Sequence, residues 1–264
     1  MEVVKPLLSV VINLDNRPDR LIEFEKQFID QANKPIRIPA FSADTIKGKH
    51  HVRDVVAACW ESHKKAYEYL LNTDRSHLII FEDDAVLTKN GKRLITELTE
   101  IDLKGIDLFQ FGFLTHKGKI DLPRYDTQLR GYLDLTRMTS IEFARLNFVF
   151  TQWITLSRGL MRLIDKILIR LDIDYLGYFR NEKNLRQKLK SPQPLVYKSF
   201  EPGTHGYIIG RDFAKFLLTT NKSTFLAADH FLMGIAAAGN VVAIRVIKSQ
   251  CAQSNSPSSI RMID

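Results

Sequence analysis

Three consecutive carboxylates, Glu82, Asp83 and Asp84, directly follow the segment His77 to Phe81, whose apolar side chains are typical of a strand buried on both faces. Carboxylates this close repel one another, and a cation or several hydrogen-bond donors relieve the repulsion. Oxygen ligands favour Mg²⁺ or Mn²⁺, and no cluster of cysteine and histidine accompanies them in the sequence to favour Zn²⁺. Because ligands of open α/β sheets bind beyond the carboxyl ends of the strands, the three residues are candidates for a metal and substrate site. The alternative is that Asp83 or Asp84 only caps the turn that follows.

A second polar segment, Asn13 to Arg17, ends the apolar run Leu7 to Leu14, which is typical of another strand buried on both faces. The segment combines an amide, a guanidinium group and the start of a helix. Helix N-termini and arginine side chains bind phosphate, so Arg17 and Arg20 are candidates for contact with a nucleotide. The alternative is that both are ordinary surface arginines in the first turn of the helix.

A glycine-containing loop, Gly203-Thr204-x-Gly206-Tyr207, precedes another apolar segment. Its two glycines allow the backbone to come close to a sugar or a diphosphate. Tyr207 offers an aromatic face on which a pyranose ring can stack. An ordinary turn before a strand is the alternative.

A basic amphipathic helix is predicted over residues 158–171. Its basic residues are spaced four apart, and apolar residues fill the remaining positions. Such a helix can dock on an anionic membrane surface. Packing of its apolar side on the core is the alternative. The basic residues are Arg158, Arg162, Lys166 and Arg170.

Strand-like and helix-like segments alternate along most of the chain, which predicts an α/β fold with a mostly parallel central sheet and helices on both faces. Residues 137–190 differ, because they hold eleven Lys and Arg against five Asp and Glu. We therefore expect residues 1–136 to form a nucleotide-binding half, residues 137–190 to form a basic helical insertion, and residues 191–264 to complete the same domain on the acceptor side.

Composition excludes several classes of protein. Hydrophobic residues make up 45% and charged residues 26% of the 264 residues, which rules out disordered, collagen-like and coiled-coil chains. The net charge of +8 is too small to indicate a nucleic-acid-coating protein. Two cysteines do not make a disulfide framework, and neither a membrane span nor a secretion signal is apparent. We expect a cytoplasmic protein.

Four motifs occur in an order that resembles glycosyltransferase family 25, which includes bacterial lipopolysaccharide galactosyltransferases and the related collagen galactosyltransferases. The resemblance implies a GT-A fold (a nucleotide-binding α/β sandwich), a nucleotide-sugar donor and a divalent metal ion. It covers the chain from Ile12 to about Asp229. The motifs are Ile12-Asn13-Leu14 with Arg17 and Arg20, Cys59-x-x-Ser62-His63, Phe81-Glu82-Asp83-Asp84-Ala85, and Gly203-Thr204-x-Gly206-Tyr207.

The resemblance assigns roles to individual residues. Asp84, with Asp83, would bind Mn²⁺ or Mg²⁺, and Asp229 would accept a proton from the acceptor hydroxyl. The remaining matched residues would contact the UDP-sugar donor: Asn13, Leu14, Arg17, Ser62, His63, Glu82, Asp83, Gly203, Thr204 and Tyr207.

The expected function is therefore inverting transfer of a sugar, with galactose from UDP-galactose as the expected donor, to a hydroxyl of lipopolysaccharide or another surface glycan. The enzyme would lie in the cytoplasm, in peripheral contact with the inner face of the membrane through residues 158–171. A sugar nucleotidyltransferase is one alternative, but it would carry a glycine-rich loop after the first strand, and residues 13–19 contain no glycine. A basic nucleic-acid-binding protein is another, although no nucleic-acid motif accompanies the basic segment. The intact acidic motif argues against a degenerate scaffold.

Overall fold

The structure is a computed structural model and describes residues 7–29, 34–46, 53–114, 185, 189, 195–197, 200–220, 227–238 and 241–254. Its strands are β1 (Leu8–Asn13), β2 (Ile36–Pro39), β3 (His77–Glu82), β4 (Ala85–Leu87), β5 (Leu108–Gly112), β6 (Leu195–Tyr197), β7 (Gly206–Gly210), β8 (Ala243–Val246) and β9 (Cys251–Gln253). Its α-helices are α1 (Pro18–Glu25), α2 (Asp54–Leu71), α3 (Lys89–Glu100), α4 (Arg211–Thr220) and α5 (Ala228–Ala238). Strands and helices thus alternate along much of the described chain, and the α/β class is confirmed.

Within the described residues, nine strands form one sheet in the order β2-β1-β3-β7-β5-β8-β6, with β4 paired to β9 and β9 joined to β5. The first strands follow the expected parallel pattern, since β1 pairs in parallel with both β2 and β3. Strand β7 lies between β3 and β5 and runs antiparallel to both. The sheet is therefore mixed, and the expectation of a mostly parallel sheet is wrong. The reason is that apolar periodicity reports that a strand is buried, whereas its direction depends on how the chain enters the sheet.

The antiparallel direction of β7 positions the site. Phe81, near the end of β3, pairs with Gly206, the first residue of β7. An antiparallel strand starts where its neighbour ends, so the loop before β7 lies beside the residues that follow β3. The segment 203–205 is thus brought next to the acidic motif 82–84, more than a hundred residues away in sequence.

Helices cover both faces of the sheet, as expected. Side chains of a strand alternate between faces, so Val10 packs on one side and its neighbour Val11 on the other. Helices α2, α4 and α5 cover the first face, and α1 and α3 cover the second. Burial on both faces explains why β1 and β3 are continuous apolar runs rather than alternating ones. The largest buried side chains of the first face are Trp60, Tyr67, Phe200, Tyr207 and Phe231, and those of the second are Phe24, Phe28, Phe81, Phe109 and Phe111.

Helix α2 carries part of the site on its buried side. Its residues Trp60, His63, Tyr67 and Leu70 recur every three or four positions, which places them on one face of the helix, and all four are buried. Most of this face is apolar and packs on the sheet. His63 is the polar exception toward the carboxyl end of β3.

Most of the basic insertion expected over residues 137–190 lies outside the described residues, including the amphipathic helix expected over 158–171. Leu185 and Leu189 are described, and both are buried against the face of the sheet that α1 and α3 cover. The division into three segments therefore stays a prediction. Among the described helices, none has both the length and the apolar character that crossing a bilayer requires.

Candidate active site

The acidic motif lies where the ends of β1 and β3 meet the start of β7. The backbone N–H of Asp83 donates to the Ile12 carbonyl (3.1 Å), and the N–H of Glu82 donates to the His205 carbonyl (3.4 Å). These two main-chain contacts tie the motif to both neighbouring strands. The three carboxylates consequently point into different surroundings, and each has its own partners.

Asp83 is held by side chains from the β1–α1 region. Its carboxylate accepts hydrogen bonds from Asn13 Nδ2 (2.8 Å) and Arg20 Nη1 (3.1 Å), and all three residues are largely buried. Burial raises the pKa of Asp83, and the Asn13 and Arg20 contacts oppose that rise. Asn13 also donates to the Arg17 carbonyl (2.9 Å) and accepts from Arg37 Nε (2.9 Å). Asn13 and Arg20 thus fix the β1–α1 turn against the acidic motif.

Asp84 is buried, with 6% of its surface exposed. Its Oδ2 accepts a hydrogen bond from Gln253 Nε2 of β9 (2.9 Å) and lies 3.9 Å from Arg20 Nη1. Its Oδ1 is buried and has no hydrogen-bond partner within the described part of the chain. Burial, followed by the negative charge of Glu82, raises the pKa of Asp84, while Gln253 and His205 oppose that rise. The raised pKa means that a nearby cation stabilises the ionised form of Asp84 more than it stabilises that of an ordinary carboxylate.

Glu82 lies between two histidines. Its Oε1 is 3.3 Å from His63 Nε2 and accepts a hydrogen bond from the Thr204 hydroxyl, and its Oε2 is 3.7 Å from His205 Nδ1. Burial pushes the pKa of Glu82 upward, but His205 and His63 outweigh burial and hold it below the ordinary value. Glu82 therefore stays ionised.

His205 is buried beside these carboxylates, and neither ring nitrogen has a hydrogen-bond partner among the residues that the structure describes. Burial lowers the pKa of His205, but Glu82, Asp84 and Asp229 together raise it above its ordinary value. His205 was not among the residues predicted to form the site. The available signal was its position inside the 203–207 motif, between Thr204 and Gly206.

Glu82, Asp84 and His205 form a group whose ligand atoms all lie within 4.8 Å of one another. Buried polar atoms nearly always have hydrogen-bond partners, so the unpartnered atoms of Asp84 and His205 need an explanation. A divalent cation bound among the three side chains would supply a partner for the Asp84 carboxylate and for one ring nitrogen of His205, and the residues fit such an ion. Carboxylates suit Mg²⁺ and Mn²⁺, and the imidazole favours Mn²⁺ of the two. Asp83, expected as a second ligand, instead has both oxygens in hydrogen bonds with Asn13 and Arg20.

Tyr207 cannot provide the stacking surface that the sequence suggested, because it is fully buried. Its hydroxyl lies 2.8 Å from His63 Nδ1 and 2.9 Å from the hydroxyl of Tyr67, which is also fully buried. Tyr207 occupies a β7 position that faces α2 rather than solvent. Its role in this geometry is to orient the His63 ring, and through it Glu82.

Two further residues that were expected to contact the UDP-sugar, Ser62 and Arg17, form contacts with other residues of the protein. Ser62 is buried, and its hydroxyl donates to the Ala58 carbonyl (2.6 Å) and accepts from the Phe41 N–H (2.8 Å). Arg17 is partly exposed and pairs with Asp19 (2.8 Å). Ser62 therefore joins α2 to the segment after β2, whereas Arg17 remains at the protein surface together with the partly exposed Leu14.

Gly203 joins the loop before β7 to the start of α5. Its φ of 99° lies in the left-handed region, and a Cβ there would come within 2.8 Å of the His205 ring. Its N–H donates to Asp229 Oδ2 (2.9 Å), and its carbonyl accepts from Gln110 Nε2 of β5 (2.9 Å). Glycine is therefore required at position 203 to hold His205 in place. The same contacts bring Asp229, the expected base, to the edge of the carboxylate cluster, while Thr204 is committed to Glu82.

Comparison with known proteins identifies the family of the chain. The model of the family described as glycosyltransferase family 25 (LPS biosynthesis protein) matches residues 8–232, which is most of the chain and contains all the site residues described above except Gln253. No curated protein matches the sequence at a significant level. The ends of β1, β3 and β7 that form the site all lie within the matched region, so the chain belongs to glycosyltransferase family 25 and is a glycosyltransferase.

Proposed function

We propose that this glycosyltransferase is metal-dependent and inverting, has the GT-A type of fold, and transfers galactose from UDP-galactose to a hydroxyl of lipopolysaccharide or another surface glycan. The description of the family as LPS biosynthesis proteins supports the class of acceptor. The observation that carries the metal-dependent mechanism is the buried group Glu82, Asp84 and His205, with its unpartnered ligand atoms. Galactose rests on the resemblance to the family's galactosyltransferases.

Glu82, Asp84 and His205 would hold the metal ion, with Mn²⁺ preferred. When bound, the ion supplies positive charge to the diphosphate leaving group. The chain itself fixes these three residues from three directions: Thr204 and His63 hold Glu82, Gln253 holds Asp84, and Gly203 leaves room for the ring of His205. A preformed group of this kind does not need to reorganise during the reaction.

Asp83 has a supporting role in this proposal. Its hydrogen bonds to Asn13 and Arg20 anchor the turn after β3 to the end of β1. Arg20 Nη1 also lies near Asp84, so one buried guanidinium partly offsets two negative charges. The anchored turn keeps Asp84 fixed without making Asp83 a ligand.

Asp229 is the proposed base. An inverting transfer forms a bond between the acceptor oxygen and the anomeric carbon while the bond to the diphosphate breaks, and the acceptor proton passes to a carboxylate. Asp229 is in the first turn of α5, and the hydrogen bond from the Gly203 N–H orients its carboxylate. Two other acids are less suitable. Glu201 pairs with Arg245 (2.9 Å), and Asp212 lines a cavity with His77 at the opposite end of the sheet.

The enzyme is proposed to act in the cytoplasm, with its peripheral membrane contact made by residues 158–171. A screen of nucleotide sugars, with and without Mn²⁺, tests the donor and metal together. UDP-galactose with Mn²⁺ is expected to raise the melting temperature more than UDP-glucose with Mn²⁺ or UDP-galactose with EDTA, and to release UDP slowly by hydrolysis. Stabilisation by no UDP-sugar, or equal stabilisation in EDTA, would contradict the proposal.

A further inference from the structure

Cys59 brings a sulfur atom to the edge of the carboxylate cluster. Cys59 and His63 are four residues apart on α2, which places their side chains on the same face of the helix. Glu82 reaches the same point from the end of β3. Ligand atoms of Cys59, His63 and Glu82 all lie within 4.8 Å of one another, so the three form a second group that overlaps the first at Glu82.

The ligand types of this second group, and the distance between two of its ligand atoms, suit zinc. Zinc bonds of about 2.0–2.1 Å at a tetrahedral angle place two ligand atoms roughly 3.3 Å apart. His63 Nε2 and Glu82 Oε1 are 3.3 Å apart. Sulfur, imidazole nitrogen and carboxylate oxygen are all zinc ligands, whereas a thiolate is a poor ligand for Mg²⁺ or Mn²⁺.

The surroundings of His63 and Glu82 hold both side chains in orientations that are suitable for binding a metal ion. Metal-binding histidines usually donate their second ring N–H to a neighbouring group. His63 Nδ1 contacts the Tyr207 hydroxyl (2.8 Å), so a proton on Nδ1 leaves Nε2 as the ligand atom. Ligating carboxylates are also hydrogen-bonded, and the Thr204 hydroxyl donates to Glu82 Oε1. Tyr207 and Thr204 thus supply the supporting contacts of a metal site.

We propose that Cys59, His63 and Glu82 form a zinc site, with water in the fourth position, and that zinc bound there weakens Mn²⁺ binding at Glu82, Asp84 and His205. The Cys59 thiol releases its proton to solvent on binding. Glu82 Oε1 faces His63 while Oε2 faces His205, so one carboxylate serves both groups. The repulsion between two cations that share it makes the coupling unfavourable in both directions. The zinc site stands on its own, and the coupling to Mn²⁺ rests on the proposed function.

The electrostatic field around Cys59 supports a cation. Burial, together with the charges of Glu82, Asp229 and Asp84, raises the pKa of the Cys59 thiol. The same three carboxylates stabilise a positive ion beside the sulfur. A small apolar side chain packed on the core is the competing role for Cys59, since free cysteines usually act in this way. Measuring directly whether sulfur binds the metal ion distinguishes a zinc ligand from a packed apolar side chain.

Cobalt provides that measurement, because Co²⁺ substitutes for Zn²⁺ and shows a near-ultraviolet charge-transfer band only when sulfur is a ligand. The chain has two cysteines, Cys59 and Cys251, which gives a matched control. Co²⁺ titration of the full chain is expected to produce the band in the wild type and in Cys251→Ser, and zinc is expected to abolish it. Cys59→Ser, or Cys59→Ala should the serine variant not fold, is expected to lose it. Absence of the band in the wild type, or its persistence without Cys59, would overturn the zinc site.

Asp84→Asn separates the two proposals. This variant removes a ligand of the manganese group but none of the zinc group, so the cobalt band is expected to remain. In the wild type, saturating Zn²⁺ is expected to weaken Mn²⁺ binding at least tenfold, and Cys59→Ser is expected to remove most of that effect. Zinc binding without any change in Mn²⁺ affinity would overturn the coupling and leave the zinc site intact. Loss of the cobalt band in Asp84→Asn would overturn the separation of the two groups.

Discussion

The two ends of strand β3 treat buried polar groups differently. At the amino end, His77 Nε2 donates to the Ile106 carbonyl (2.8 Å), and Asp107 accepts from the Val242 N–H (2.8 Å). Arg211 donates to several main-chain carbonyls there, including that of Arg75 (2.9 Å). At the carboxyl end, no described residue forms a hydrogen bond with Asp84 Oδ1 or with either nitrogen of His205. At the amino end, polar side chains form hydrogen bonds with main-chain groups. At the carboxyl end, atoms that can bind a ligand remain available.

This difference distinguishes buried polar groups that stabilise the fold from buried polar groups that can bind a ligand. An unsatisfied buried polar group costs about 1–3 kcal/mol, so its retention calls for a compensating interaction. Among the described residues, the amino end has one such atom, Arg75 Nη1, on a side chain that is partly exposed and pairs with Asp74 (3.4 Å). At the carboxyl end the unpartnered atoms belong to Asp84 and His205, which are almost completely buried and have ligand atoms within 4.8 Å of each other. Burial with missing partners is therefore a better guide to the site than charge alone.

The largest expected effect comes from Asp84→Asn. The substitution keeps the shape of the side chain but weakens the proposed metal group, so Mn²⁺-dependent turnover of UDP-galactose should fall by at least about 100-fold, the upper scale for supporting residues of metal sites. The melting temperature without metal should stay the same or rise, because a buried negative charge is removed.

Asp107→Asn is the matched control at the amino end. Burial also raises the pKa of Asp107, and an asparagine oxygen can still accept from the Val242 N–H. This variant should keep nearly full turnover. Equal losses in Asp84→Asn and Asp107→Asn would mean that the two ends of the sheet do not differ in function.

The next effect concerns Asp229. Asp229→Asn retains an oxygen for the Gly203 N–H but cannot take a proton, so transfer should fall about 100-fold or more, the usual scale for loss of a general base. Binding of UDP-galactose and Mn²⁺, measured by calorimetry, should be unchanged. Glu201→Gln, which alters the partner of Arg245, serves as the control and should transfer at nearly the wild-type rate. Loss of donor binding together with transfer would assign Asp229 a structural role instead.

The sequence was sufficient to predict the strands on either side of the site. The apolar runs of β1 and β3 reflect burial on both faces, and the polar residues that follow them mark the ends where ligands bind. The short pair β4 and β9 was missed, because three-residue strands carry too little periodicity to detect.

Contacts across the sheet were not predictable from the same patterns. His205 lies near Glu82 because β7 runs antiparallel to β3. The apolar pattern of a strand does not reveal its direction. The role of Tyr207 was misjudged for a related reason. A tyrosine near two glycines suggests a sugar platform, but alternation along β7 turns this side chain toward α2 and buries it. Cys59 and Glu82 are likewise joined only by the fold.

A smaller effect is expected from Tyr207→Phe. Removing the hydroxyl leaves His63 Nδ1 and the Tyr67 hydroxyl without their shared partner, which should cost about 1–3 kcal/mol in free energy of unfolding. Turnover should fall several-fold, since Tyr207 acts only through His63 and Glu82, and the loss should appear in kcat rather than in KM for the donor. Tyr67→Phe is the control, because it leaves the Tyr207 to His63 contact intact. A larger kcat loss in Tyr67→Phe than in Tyr207→Phe would contradict the positioning role.

The smallest effect on activity, and a distinct effect on stability, is expected from His77 at the amino end. Burial lowers the pKa of His77 below its ordinary value of 6.5, although the Ile106 carbonyl and the charges of Asp102 and Asp107 oppose this. The unfolded chain therefore binds a proton at a higher pH than the folded chain does. The stability contribution is complete above about pH 6.5 and is lost as the pH falls toward the folded-state pKa, at up to about 1.4 kcal/mol per pH unit. His77→Gln keeps a donor for the Ile106 carbonyl but does not titrate, so urea unfolding should show a smaller loss of stability on acidification than the wild type, with turnover at neutral pH unchanged. A variant with the same pH dependence as the wild type would show that His77 is protonated equally in both states and that its burial does not make stability depend on pH.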